Sequence, residues 1–227
     1  MKLTHYLILA AATLSLGACN GSSDSVQQQY VDIVTLDSSA QGVGSVMTYR
    51  VLDDSPLITL TTTQAFSQDQ VGKRIFIIYT TAEGVEHGVS GPINIQFANT
   101  TLGAGAAPLP AVADTLENWY SEQIDFMQAY RSGDYLNLGM TLLTTTNPAK
   151  FECYVDVATE NSEYPELHLI YKAKPGYDTQ SMNFFGSYNI SNIWNRYDVK
   201  GIKLFYNGAN ENSVTIEKEV PTIKPAE

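Results

Sequence analysis

Gln123–Leu143 reads QIDFMQAYRSGDYLNLGMTLL, and its alternation decides the fold. Side chains two apart share one face of a strand, so Ile124, Phe126 and Tyr130 line one side of a first strand. Leu136, Leu138, Met140 and Leu142 line one side of a second. Arg131-Ser132-Gly133-Asp134 between them has the chemistry of a turn. The stretch is a β-hairpin with one apolar face, and that face needs a second sheet to cover it. Downstream the same period returns in Phe151–Val157, Glu166–Lys172, Asn183–Ile193 with an interruption, Val199–Tyr206 and Ser213–Val220. Asn207-Gly208 supplies a turn between the last two, and Leu116–Tyr120 reads as one helical turn. Six or more strands with no long helix predict an antiparallel β-sandwich over residues 114–227.

Upstream, Tyr30–Leu36, Val46–Leu52, Leu57–Thr62, Arg74–Thr80 and Ile93–Phe97 alternate as well. Gly42 and Gly44, Asp53-Asp54-Ser55-Pro56, Glu83-Gly84 and Ser90-Gly91-Pro92 punctuate them. Five short strands in this length predict a small OB-like barrel over residues 30–99. Thr100–Ala113 (TTLGAGAAPLPAVA) has neither charge nor alternation and reads as an interdomain linker. Gly103 and Gly105 lie within it, but no helix or lysine follows to make a phosphate loop. The fold class is therefore all-β, a barrel followed by a sandwich.

The first residues, MKLTHYLILAAATLSLGACN, carry a positive start at Lys2 and an apolar core over Tyr6–Leu16. That core is too short for a bilayer span, which takes roughly 20 residues, and has the length of a signal-peptide core. Leu16-Gly17-Ala18-Cys19 matches a lipobox. The expectation is a signal peptide over residues 1–18 that is removed and a lipid-modified Cys19. Residues 19–29 then form a polar tether reaching at most ~35 Å. The protein is expected in the cell envelope, held by its lipid anchor to a membrane, with Asn20 rather than Asp after the cysteine favouring the outer one.

Gln128–Leu142 (QAYRSGDYLNLGMTL) resembles the glycine-aspartate-tyrosine-leucine segment of NigD-like lipoproteins, a family of Bacteroidetes. The specific match is Gly133-Asp134-Tyr135-Leu136, and the order of lipobox, small barrel and strand-rich second half is similar too. The resemblance implies an N-terminal OB domain and a C-terminal β-sandwich. It implies no established activity, and the family name carries a hint of bacteriocin immunity.

Composition narrows the chemistry. Loss of Lys2 with the signal takes the net charge from −11 to −12, and no cluster of Lys and Arg exists to neutralise phosphates, which excludes nucleic acid. Once Cys19 is committed to lipid, Cys153 is left without a disulfide partner and reads as a small buried apolar residue on a strand. His87 lies in a turn three residues before Ser90, and no G-x-S-x-G elbow accompanies it. His168 sits in a strand, and Asp156, Glu160, Glu163 and Glu166 form a solvated acidic loop without EF-hand spacing. No catalytic residue, metal ligand or cofactor is assigned on these patterns.

The densest feature is Tyr177–Tyr197, YDTQSMNFFGSYNISNIWNRY, which interleaves aromatics with amides and hydroxyls. Phe184-Phe185 must turn at least one ring inward. Tyr177, Tyr188 and Trp194, flanked by polar or turn residues, are the candidate ligand-binding residues, expected to face solvent. The functional expectation is a non-enzymatic binding module for a glycan or an envelope protein. Its alternatives are a bacteriocin immunity or inhibitor protein and a carboxylate-based hydrolase. Aromatics gathered on a concave face would favour binding of a glycan or protein; a long unpaired edge or flat acidic patch, an inhibitor; two facing carboxylates in a deep pocket, a hydrolase.

Overall fold

A computed structural model describes residues 27–51, 55–103, 105–113, 121–144, 150–173, 180–206 and 212–218. The signal peptide, Cys19, Tyr177, the turn at Asn207-Gly208 and the expected helical turn at Leu116–Tyr120 lie outside the described residues.

The first half closes into a five-stranded barrel. Its strands are β1 (Tyr30–Ala40), β2 (Gly44–Tyr49), β3 (Ile58–Thr62), β4 (Arg74–Thr81) and β5 (Gly91–Thr100), in the order β1-β2-β3-β5-β4 with β4 returning to β1. All neighbours are antiparallel except β3 and β5. This is the OB-like barrel expected from the alternation. Val34, Leu36, Met47, Leu60, Ile75 and Ile77 fill it. Gly44 is required at the start of β2, because its φ is 106° and a Cβ there would stand 2.1 Å from the Thr62 carbonyl oxygen.

The second half is a sandwich of two sheets. One joins β7 (Ile124–Ser132), β8 (Tyr135–Thr144) and β11 (Gln180–Asn189) in the order β11-β8-β7. The other joins β6 (Ala111–Val112), β9 (Lys150–Asp156), β10 (Glu166–Lys172), β12 (Gly201–Tyr206) and β13 (Asn212–Glu217) in the order β13-β12-β10-β9-β6. The predicted hairpin is β7–β8, and Leu136, Leu138, Met140 and Leu142 are all fully buried against Val155, Leu167, Leu169, Ile202 and Leu204 of the facing sheet. A short helix α1 (Ser191–Trp194) follows β11 where the strand pattern broke.

Three features depart from expectation. The register of β7 against β8 slips between Phe126 and Gln128, so Tyr130 pairs with Asn137 on the outer face and does not share the face of Ile124 and Phe126. The larger sheet is mixed, since β10 runs parallel to β12 and β6 parallel to β9. Alternation fixes which face a strand buries but not the direction of its neighbour, and the chain between β10 and β12 passes through β11 in the other sheet before returning. The expected linker is also more than a crossing. Leu102 bridges Gly186, Pro108 bridges Asn189, and Ala111–Val112 is β6, so the chain is tied to the sandwich at three places.

Candidate functional site: a groove at the barrel–sandwich junction

The outer face of the β11-β8-β7 sheet carries the barrel. Asn137 of β8 and Ser187 of β11 are register partners on that face, and both are fully buried. Arg74, at the first position of β4 and 1% exposed, reaches them. Its Nε donates to Ser187 Oγ (3.0 Å), Nη1 to Thr35 Oγ1 (3.0 Å) and Nη2 to the Ile33 carbonyl (2.7 Å), while the guanidinium lies 4.3 Å over the Tyr135 ring. Burial pulls its pKa down to about 10, against the stabilising influence of Tyr135, Tyr130, Asp32 and Asp37. Beside this polar staple, Phe76 of β4 stacks on Phe185 of β11 with centroids 3.8 Å apart.

Above that stack the two bodies diverge, leaving a cavity of about 560 Å³. The barrel contributes Phe76, Phe97, Asn99 and Thr100; the crossing, Thr101 and Leu102; the sandwich, Phe151 and the run Met182–Phe185. Among the described residues no charged side chain lines it, in a chain with a net charge of −11. Phe97 is 50% exposed and Met182 and Asn183 are exposed, so the groove offers apolar and amide surface to solvent. In sequence Phe97 is in phase with Ile93 and Ile95 and reads as one more residue on their face, and Asn99 carries no signal. The register of β4 against β5 slips between Ile78 and Tyr79, and this extra residue in β5 turns Phe97 outward.

The residues singled out beforehand stand elsewhere. Tyr188 and Trp194 were expected to face solvent, and each is only 3% exposed. Tyr188 pairs with Leu136 on the inner face of its sheet, and its polar neighbours Ser187 and Asn189 are simply the alternate face of the same strand. Trp194 is buried by α1 and covered by cations, with Arg131 4.5 Å and Lys218 5.8 Å from the ring. Tyr177 lies outside the described residues. Phe184 and Phe185 are both half-buried, one on each face.

Three other constellations come together in space. Asp32 Oδ2 accepts hydrogen bonds from the Tyr79 hydroxyl (2.7 Å) and from His87 Nε2 (3.0 Å), and the His87 ring stacks on Tyr30 at 4.3 Å. The bond to Asp32 raises the His87 pKa, partly against burial, and burial beside Asp32 drives the Tyr79 phenol far above its ordinary range. Asp156, Glu166 and His168 bring three possible ligand atoms within 4.8 Å of one another, with Lys203 Nζ 3.4 Å from Glu166 and the His168 ring flat on Phe205. Mixed carboxylate and imidazole donors of this kind could hold a divalent cation. Arg50, Arg131 and Lys218 surround a second cavity with Gly133 and Asp134. Cys153 is a buried thiol, and burial raises its pKa.

An OB-like barrel seated on a two-sheet sandwich defines the structural class. No protein-family model matches the chain, and no curated protein does. Among solved structures it is similar to a protein of unknown function, DUF1344, from Bacteroides vulgatus, with 20% identity, a TM-score of 0.57 and coverage of 86% of this chain and 92% of that one. It is also similar to a NigD-like immunity protein from Bacteroides caccae (16%, TM-score 0.54, coverage 83% and 90%). A protein from Parabacteroides distasonis described as toxin-related is similar at 14%, TM-score 0.53, coverage 84% and 94%. At these identities the likeness concerns the fold. The chain shares its fold with these proteins, the NigD-like immunity protein among them.

Proposed function

We propose that this chain is a NigD-like envelope lipoprotein whose work is binding rather than catalysis, and that the barrel–sandwich groove is where its glycan or protein ligand sits. The observation that carries this reading is an uncharged, aromatic- and amide-lined concavity, open at Phe97, on an acidic molecule. Ligand sites are concave and mostly apolar with a few convergent polar groups, and Asn99 and Asn183 supply those here. Phe97→Ala removes a half-exposed ring, so it should cost about 1 kcal/mol of stability or less. It should abolish capture of whichever soluble oligosaccharides or displayed peptides the mature wild-type chain retains. Equal capture by wild type and Phe97→Ala would move the site away from the groove.

A second reading, immunity or inhibition of a toxin, is favoured by the fold shared with the B. caccae immunity protein. In that case the ligand is the toxin itself, and co-expression should protect a sensitive strain.

The lipid anchor is part of the same proposal. Cys19 is the only residue that can take the diacylglyceryl group in the lipobox. The wild-type protein should partition into the detergent phase of a cloud-point extraction, and Cys19→Ala should remain an unlipidated precursor. Wild-type protein in the aqueous phase would overturn the anchor.

A further inference from the structure

The binding reading leaves open what kind of chain enters the groove, and the backbone of β11 answers it. β11 is an edge strand of its sheet. Toward its C-terminal end that edge is already used: Leu102 N–H donates to the Phe185 carbonyl (2.8 Å), Ser187 N–H to the Leu102 carbonyl (2.9 Å), and Leu109 N–H to the Asn189 carbonyl (2.9 Å). The three β11 residues involved are all odd-numbered. The register of β11 against β8 is continuous from Gln180 to Asn189, so the alternation of hydrogen-bonding direction is unbroken. The N–H and C=O groups of Ser181 and Asn183 therefore point away from β8, along the same edge and toward the groove.

Over Gln180–Phe184, about 17 Å at 3.3 Å per residue, no strand among the described residues covers that edge. The crossing chain first reaches the β11 edge at Leu102, because Thr100 and Thr101 are still held by β4, through the Ile75 pairing and the Arg74 carbonyl. The groove flanks this open stretch. Phe151 and Phe184 line it on the side between the two sheets, and Phe97, Asn99 and Phe185 on the side of the barrel.

We infer that the groove takes an extended, uncharged polypeptide segment of a partner protein, which adds to the open edge of β11 as a further strand. This rests on the groove being the binding site. Main-chain hydrogen bonds to Ser181 and Asn183 would give affinity, and alternate side chains would fall against Phe184 and Phe151 or against Phe97 and Asn99. The edge accepts an extended backbone from this chain at Leu102 and Leu109, so the added strand continues an existing mode of pairing. The described lining carries no charge, so it suits a segment of apolar and neutral polar residues and gives a charged one no partner for its desolvated group.

The test uses the mature full-length chain and a displayed library of random uncharged nonapeptides, with cellohexaose as the carbohydrate probe. Ser181→Pro and Asn183→Pro each remove one outward N–H while leaving the bonds to β8 in place, which an edge strand tolerates. Selected peptides should bind wild type and lose about tenfold or more in affinity on either variant, the loss expected for about one hydrogen bond. N-methylation of alternate peptide residues should abolish binding in one register and spare it in the other. Phe97→Ala should weaken the same peptides. Should a proline variant fail to fold, the N-methyl series on wild type decides alone. Peptides indifferent to N-methylation but sensitive to Phe97→Ala would overturn strand addition and leave the groove reading standing. So would binding of cellohexaose, but no peptide, in a Phe97-dependent way. Peptides or cellohexaose bound regardless of Phe97 would overturn both.

Discussion

At His87, a residue chosen from its place in a turn near Ser90 acquires a different partner. Asp32 lies 55 residues away and belongs to the start of the barrel, so no local spacing could join the two; only closure of β4 onto β1 does. The same holds for Arg74, which reads in sequence as the polar first residue of an apolar strand and is a fully buried staple in the fold. The His87–Asp32 pair has a consequence that pH exposes. A hydrogen bond to Asp32 raises the folded pKa of His87 above its unfolded value. The folded protein therefore binds the proton more tightly than the unfolded chain. The resulting stabilisation is fully present below the unfolded pKa of about 6.5 and is lost as pH rises through the folded value. With a side chain 30% exposed, the contribution should be under about 1 kcal/mol. Denaturant titrations at pH 5.5 and 8.5 should show wild type losing this increment relative to His87→Gln. A parallel pH dependence in the two proteins would remove His87 from the account.

Strands were legible as elements because burial on one face imposes a period of two. Leu136, Leu138, Met140 and Leu142 were placed inward from sequence and all are fully buried. What a period cannot say is which strand lies alongside, or which face of an aromatic-rich strand is inner. Hence the parallel pairs β10–β12 and β6–β9, and hence Tyr188, whose ring is core. The crossing residues show the same limit. Gly103, part of a stretch without pattern, sits at φ 66°, and a Cβ on it would come within 2.1 Å of the Tyr188 ring. The glycine is thus what lets the crossing chain lie down beside β11 while Tyr188 stays in the sandwich core. Gly103→Val demands both a left-handed conformation from a branched residue and displacement of a buried ring. It should destabilise by about 3 kcal/mol or more, combining overpacking with backbone strain. Gly105→Val, where no atom lies within 4 Å of the added Cβ, should cost far less. Urea midpoints measure both, and equal losses would mean that the crossing is not pressed against Tyr188.

For the whole molecule, composition and the break at Thr100–Ala113 point to two domains, and the strands form a closed barrel and a two-sheet sandwich. Their independence is another matter, which composition cannot address because it depends on what the outer face of β11-β8-β7 touches. That face buries Asn137 and Ser187 under Arg74 and stacks Phe185 on Phe76. Removing the barrel would expose Tyr135, Asn137, Phe185 and Ser187 together, and would also strip Leu102 from the β11 edge. A sheet face with stacked aromatics and an uncovered edge is an aggregation site. The mature chain should therefore unfold in one transition, with fluorescence and circular dichroism coinciding. Ala111–Glu227 expressed alone should give a species without a cooperative transition. Arg74→Met provides the complementary measurement in the intact chain. It leaves Ser187, Asn137 and the Ile33 carbonyl without their shared donor, a loss of about 3 kcal/mol or more at a buried charged network. If the two bodies are one cooperative unit, that variant lowers a single midpoint. If they fold separately, it lowers only the barrel's step, through the lost bonds to Thr35 and the Ile33 carbonyl, and leaves the sandwich's step in place, and the isolated fragment then melts cooperatively at that second temperature.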